Sequence, residues 1–289
     1  MKTAFLRLHL AVLLAGFTGI LGRLITLNEA LIVWYRLLLS AIALWLIAAF
    51  RKKLVIPSLP VLLSIIGVGL VAALHWVSFY GSIKYSNVSV ALVCFSSIGF
   101  FTAIFEPLIL RTRVVWQEIL LGLMVIAGIF IIFQFDSRYK TGILIGLISS
   151  MLGAVFPILN RQLLKKVSVD TLVTYELTGG FLTLSLLMPL YMRIFPTSYV
   201  VPSPADWGWL LVLSLLCTVW AFFLSSYALK YISAFTVNLS YNLEPVYGIL
   251  LAFLLFGENK ALGPHFYAGL ALIVLAVFLQ MWRVWRSHR

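Results

Sequence analysis

Ten apolar blocks run down this chain, at about 5–25, 30–50, 59–81, 86–110, 116–135, 142–163, 171–194, 207–229, 233–256 and 264–284, joined by short connectors. Each is close to the roughly 20 residues an α-helix needs to cross the hydrocarbon layer of a bilayer. Together they use most of the 289 residues. The remainder is too short for a soluble domain, so nucleotide-binding, kinase and DNA-binding modules are excluded. Composition agrees. Hydrophobic residues make up 63% of the chain and charged residues 10%, against about 45–50% and 25% in soluble domains. So few polar side chains could not cover a water-soluble fold. The expectation is an all-α integral membrane protein with ten transmembrane helices.

A net charge of +12 suggests nucleic acid until the basic residues are placed. With a cytoplasmic N-terminus and ten crossings, 14 of the 21 Lys and Arg fall inside and 6 outside, and Arg36 lies within a span. The clearest stop is Arg51-Lys52-Lys53. This is the positive-inside bias of a membrane protein; both termini are then cytoplasmic and no nucleic acid is expected. Cys94 and Cys217 both lie within apolar blocks, so no secreted disulfide framework is present. Lys2 and Arg7 before the first block imitate a signal peptide. No small-x-small cleavage site follows, so the block is expected to stay as a helix.

Ten spans divide into two halves of five, here 1–138 and 139–289. An odd number per half forces the halves into opposite orientations, the inverted-repeat plan of many transporters. Lys84-Tyr85 and Lys230-Tyr231 match at an offset of 146. Glu106-Pro107 and Glu244-Pro245 look like a second match, but their offset is 138. At 146, Ile98 pairs with Glu244 and Gly99 with Pro245, so the two Glu-Pro pairs are assigned no common role.

Several stretches carry a resemblance. The first half has "LHLAVLLAGFTGILGRLI", "WYRLLLSAIAL", "HWVSFYGSIKYSNVSVAL" and "FSSIGFFTAIFEPLIL". The second has "ALKYISAFTVNLSYNLEPV" and a later "FGE". In this order the chain resembles the EamA type of the drug/metabolite transporter superfamily along essentially its whole length. The sequence departs from that pattern at Gly99, where a proline is common, and at Thr112, which stands opposite Glu258. The resemblance implies a secondary transporter of two inverted five-helix repeats. The first four helices of each half would line a central cavity, and the fifth and tenth would be peripheral. It implies movement of a small metabolite, amino-acid-like or amphipathic, often outward across a bacterial inner membrane. The expected partners are that solute and membrane lipids, with proton coupling and a homodimer left open. No cofactor, metal or catalytic residue is expected.

Polar groups within the spans are the residues that could do work, because each is costly in lipid. Arg36 is an anion anchor or outer gate, or else a structural or snorkelled charge. Glu176 occupies the corresponding place in the seventh span and, by inverted symmetry, lies near the opposite face, unpaired with Arg36. It could close the cytoplasmic side or carry a proton, or sit at the interface. His75, Trp76 and Tyr80 lie on the third span, with Trp76 and Tyr80 on one face. His75 could titrate during transport or serve as a neutral hydrogen-bond partner. Trp220 and Tyr227, seven apart, share a face of the eighth span; with Phe95 and Phe101 they could form an aromatic cavity, which favours cations, or face lipid. The ninth span is the most polar. Asn238 and Asn242 share a face, Ser240, Tyr241 and Glu244 add to it, and Pro245 frees the Tyr241 carbonyl. It is the best stretch for substrate contact, with helix–helix hydrogen bonding as the alternative.

An enzyme is hard to build from this set. Asp136, Asp170 and Asp206 all fall in loops or at span edges, and no paired carboxylates or HExxH motif lies on a span. A channel, a scramblase or a structural membrane protein is the rival reading, but no filter-like loop is visible.

Overall fold

The structure, a computed structural model, describes residues 2–51, 54–135, 137–241 and 243–287. Among them every regular element is helical. In chain order these are α1 (Lys2–Leu24), α2 (Glu29–Arg51), α3 (Leu59–Tyr85), α4 (Val88–Phe95), α5 (Ile98–Leu110), α6 (Trp116–Phe135), α7 (Lys140–Leu163), α8 (Val169–Ile194), α9 (Pro204–Ser214), α10 (Ala221–Leu229), α11 (Ala234–Tyr241), α12 (Glu244–Phe256) and α13 (Pro264–Ser287). A π-helical turn, Leu215–Trp220, joins α9 to α10.

Among the described residues, eight helical runs are long and apolar enough to cross a membrane, Val88–Leu110 and Pro204–Leu229 each counting as one. Trp116–Ile132 and Glu244–Phe256 are shorter apolar helices. The surface is apolar, and charged groups lie inside. Phe50, Leu186 and Leu254 are 86%, 80% and 82% exposed, while Arg36, His75, Glu176, Glu244 and Glu258 are buried. Water would reject this distribution; lipid accommodates it, because polar groups must then find partners within the protein. The chain is an integral membrane protein.

Small residues let the helices approach. A methyl group built on Gly180 of α8 would stand 2.8 Å from the Gly69 carbonyl oxygen of α3, closer than a real side chain permits. The contact lays α8 against α3 one turn from Glu176. Gly128 and Gly269 do the same for α6 and α13, which Glu118 and Arg283 also join at 2.5 Å. Close backbone approach replaces the hydrophobic drive that helices lack inside lipid.

The fourth and ninth apolar blocks are each broken in two. Val88, Phe95, Ile98 and Leu110 bound α4 and α5; Ala234, Tyr241, Glu244 and Phe256 bound α11 and α12. All four boundaries are related by 146 residues. So are the N-caps. Asn87 Oδ1 accepts from the Val90 N–H at 2.8 Å, and Ser233 Oγ from the Thr236 N–H at 3.1 Å. So are the two left-handed residues that end α5 and α12, Arg111 (φ 54°) and Gly257 (φ 62°). Serine hydroxyls loosen the first break. Ser96 Oγ donates to the Leu92 carbonyl at 3.3 Å and Ser97 Oγ to the Cys94 carbonyl at 2.7 Å, offering the backbone partners outside the helical ladder. The second break corrects one expectation. Pro245 does not interrupt a continuous helix; it lies in the first turn of α12, where its missing N–H costs nothing.

Candidate functional site

One cavity lies at the centre of the bundle. Its wall takes Ala15 and Thr18 from α1, Arg36 from α2, and His75, Trp76 and Phe79 from α3. Phe95 and Ile98 flank the first helix break, and Gly153, Phe156, Pro157 and Asn160 come from α7. Cys217, Phe222, Ser225, Ser226 and Leu229 come from the run through α10, and Tyr241 and Glu244 flank the second break. The cavity has a volume of about 80 Å³, room for several waters. It reaches Asn160 and Leu229, within a turn of the ends of α7 and α10. At its other end it stops at Thr18 and Arg36, well short of the ends of α1 and α2.

Arg36 is held from three directions. Its Nε donates to Thr218 Oγ1 at 2.6 Å, Nη1 to the Tyr80 hydroxyl at 2.9 Å and Nη2 to the Cys217 carbonyl at 3.4 Å. The guanidinium carbon lies 3.9 Å from the centre of the Trp76 ring. Tyr80 itself is buried behind this group. The π-helical turn supplies two of the acceptors. Thr218 reaches back five residues, Oγ1 donating to the Leu213 carbonyl at 2.7 Å, which fits a π turn; such turns often mark functional sites. Among the described residues, the hydrogen-bond partners of Arg36 are neutral groups.

His75 is fixed to α7. Its Nδ1 stands 2.9 Å from the Ser149 carbonyl oxygen, so an Nδ1–H donates there, and 3.0 Å from the Ser149 hydroxyl. That hydroxyl donates in turn to the His75 carbonyl at 3.0 Å. Aromatic rings surround the imidazole. Phe95 and Phe156 lie 5.5 and 5.7 Å away between centres, and Phe156 stacks on Phe222 at 6.1 Å.

Glu176 is buried and does not reach Arg36. Both its oxygens accept from Asn160 Nδ2, each at 2.9 Å. Through Asn160 it touches the cavity wall without lining it. Of the ninth-block residues, Tyr241 and Glu244 line the cavity, and Ser240 Oγ donates to the Thr236 carbonyl at 3.0 Å. Asn242 and the side chain of Asn238 lie outside the described residues.

Trp220 and Tyr227 need correction. They share a face, as a spacing of seven requires, but it is the wrong one. Ala221, Phe222, Ser225, Ser226 and Leu229 turn the opposite side of α10 to the cavity. Trp220 is 46% exposed on the outer surface, and Tyr227 carries the Arg7 guanidinium 3.8 Å above its ring. Phe101 stacks on Phe105, away from the cavity. Spacing fixes which residues share a face, not where that face looks.

A family model described as the EamA-like transporter family matches the chain twice, over residues 2–134 and 140–282. The chain belongs to the EamA-like transporter family. Solved structures match too, 28 chains in all. One, described as "Crystal structure of protein", covers 100% of both chains at a TM-score of 0.68 and 17% identity, a likeness of fold. No curated protein matches.

In this EamA-like chain, ion pairs join the two matched segments near both ends of the bundle. Arg23, near the end of α1, pairs with Glu258, just after α12. Glu258 is buried and also accepts from the N–H groups of Val88 and Ser89 at 3.2 and 2.9 Å and from the Ser89 hydroxyl at 2.5 Å. A carboxylate at the N-terminus of α4 is well placed, since the unpaired N–H groups and the helix dipole both favour it. Beside it, Asp206 accepts from the N–H and hydroxyl of Thr26, both at 2.8 Å, and Lys84 Nζ donates to the Ile25 carbonyl at 2.7 Å. At the opposite end Arg161, near the end of α7, stands 3.6 Å from Glu106 of α5. The Arg23 end is thus the more heavily bonded.

Sequence reasoning missed Asn160, Thr218, Phe156, Phe222 and Glu258 as working parts. Only two carried a signal: Asn160 follows Pro157 within the polar sixth block, and Glu258 belongs to the "FGE" stretch.

Proposed function

We propose that this chain carries a small organic metabolite, amino-acid-like or amphipathic, outward across a bacterial inner membrane by alternating access. Ten crossings in two inverted halves, 1–138 and 139–289, with cytoplasmic termini, form the frame of this reading. The shared 146-residue offset of the α4–α5 and α11–α12 breaks supports it, as does the gap between the two matched segments. The observation that carries the function is the central cavity. In a chain whose exterior is apolar, Arg36, His75, Asn160 and Glu244 turn inward to one space lined by both halves.

That space is smaller than the roughly 300–1,000 Å³ of ordinary ligand pockets, so helices must part to admit a solute. In this orientation Arg23 and Glu258 lie outside, Arg161 and Glu106 inside, and the cavity reaches toward the cytoplasm. The opening step separates α12 from the start of α4; the reverse step closes α7 over α5.

Counterflow in proteoliposomes tests the reading. Vesicles loaded with unlabelled solute are expected to show transient, saturable uptake of the labelled form, across a metabolite panel. Absence of saturable exchange for every solute would count against transport. Proton coupling through Glu244, Glu176 or His75 is part of the same reading: a pH gradient should then drive accumulation, and indifference to the gradient removes protons from the cycle.

A further inference from the structure

Two acceptors on the cavity wall, among the described residues, stand apart from the rest. Arg36 is engaged on Nε, Nη1 and Nη2 and lies over Trp76. His75 Nδ1 is taken by Ser149, and the Thr18 hydroxyl by the Ala15 carbonyl at 2.7 Å. Asn160 and Glu244 differ from these. Asn160 is 1% exposed, and its Oδ1 has no hydrogen-bond partner. Glu244 is 4% exposed, lines the same wall and makes no hydrogen bond among the described residues. Leaving a buried acceptor unsatisfied is costly, and a buried carboxylate more so. The orphaned Asn160 Oδ1 and the cavity-lining Glu244 suit the same chemistry, a cationic group rich in N–H.

We propose that Asn160 Oδ1 and Glu244 form the binding site for a protonated amine, and that the solute is a small organic amine with an apolar or aromatic body. The inference rests on the transport reading and names its substrate class. The walls suit such a molecule. Phe156 stacks on Phe222, and Phe222 meets Trp76 edge-on at 5.8 Å, giving π-faces that attract a cation and bury its apolar body. A carboxylate on the solute is not required, because Arg36 already has partners of its own.

Glu176 is the positioning residue for this site. The amide of Asn160 turns its Nδ2 toward Glu176, where both bonds are 2.9 Å, and Oδ1 is left without a partner. Glu176→Gln keeps size and shape but offers a donor of its own. The Asn160 amide can then turn over and present N–H to the cavity, reversing what the site prefers without touching the solute.

Three probes of similar size separate the terms: phenethylamine, N-acetylphenethylamine and 3-phenylpropionate. Their binding is read on the purified full chain by intrinsic tryptophan fluorescence, which needs no turnover. The amine is expected to bind at least about thirtyfold tighter than either other probe, as loss of one charged hydrogen-bonded contact implies. In Glu176→Gln and Asn160→Leu that preference should fall by about tenfold or more. The proposal is overturned if the amine does not bind, if the acid binds as tightly, or if Glu176→Gln leaves the ratio unchanged. Should the variants fail to fold, the wild-type ratio decides alone. Amine binding without counterflow would sink transport and leave the site standing; counterflow of solutes without an amine would do the reverse.

Discussion

Glu258→Gln is expected to raise, by about an order of magnitude or more, the rate at which a membrane-impermeant maleimide added outside labels Cys217. Cys217 lines the cavity, and Cys94→Ala supplies a background in which it is the sole thiol. Glu258 binds the Arg23 side chain, two N–H groups at the start of α4 and the Ser89 hydroxyl. It therefore ties the end of α12 to α1 and α4. All these bonds must break when the outer end opens, so they weigh on the closed state alone. Arg23 is 40% exposed, so its ion pair contributes at most about 1 kcal/mol, while losing the charge-assisted bonds to α4 costs about 1.5–3 kcal/mol. Shifted from closed to open, about 1.4 kcal/mol of this is tenfold in population. Ser89→Ala removes only the hydroxyl contact and should shift labelling less, by about 1 kcal/mol. Unchanged outward labelling in Glu258→Gln, with folded yield intact, would mean that the latch is elsewhere.

Arg36→Lys is expected to abolish most flux and to lower thermal stability, although the charge is kept. Three acceptors on two chain segments converge on Arg36 from different sides, and a Trp76 face supports it. A planar guanidinium meets all of them at once; an ammonium on a flexible stem does not. Thr218, Tyr80 and the Cys217 carbonyl would then compete for one head group, leaving buried polar atoms unpaired at about 1–3 kcal/mol each. Flux should fall by about tenfold or more, since the π turn that carries Cys217 and Thr218 loses its anchor to α2. The check is paired: counterflow together with a thermal unfolding midpoint. Wild-type values for both in Arg36→Lys would show that Arg36 acts only as a charge.

The helical runs were legible because the bilayer sets a length that no other constraint imitates, and the apolar blocks meet it. The split of the fourth and ninth blocks was not. Ser96-Ser97 and the residues before Pro245 read as polar spots on continuous helices, with nothing in the sequence to mark a break. In the site, Arg36, His75, Trp76, Phe95, Tyr241 and Glu244 were visible as polar or aromatic groups within spans, and they line the cavity. Trp220 and Tyr227 were misplaced because helical spacing carries no absolute direction. Thr218 was invisible because its role depends on a π turn, which inserts backbone without leaving a residue signature. Asn160 reads as one polar residue three places after Pro157; its value comes from Glu176 behind it. Glu258 lies in the connector after α12, where a carboxylate ordinarily means solvent.

Two-sided labelling of Cys217 in oriented membrane vesicles tests the central claim most directly. Alternating access predicts that the thiol is reached from either face but never from both at once. It also predicts that the Glu258→Gln change which raises labelling from outside lowers labelling from the cytoplasmic side in proportion. Labelling that rises from both faces together would mean a continuous pore, and labelling from neither face would mean a sealed structural core; each contradicts a carrier.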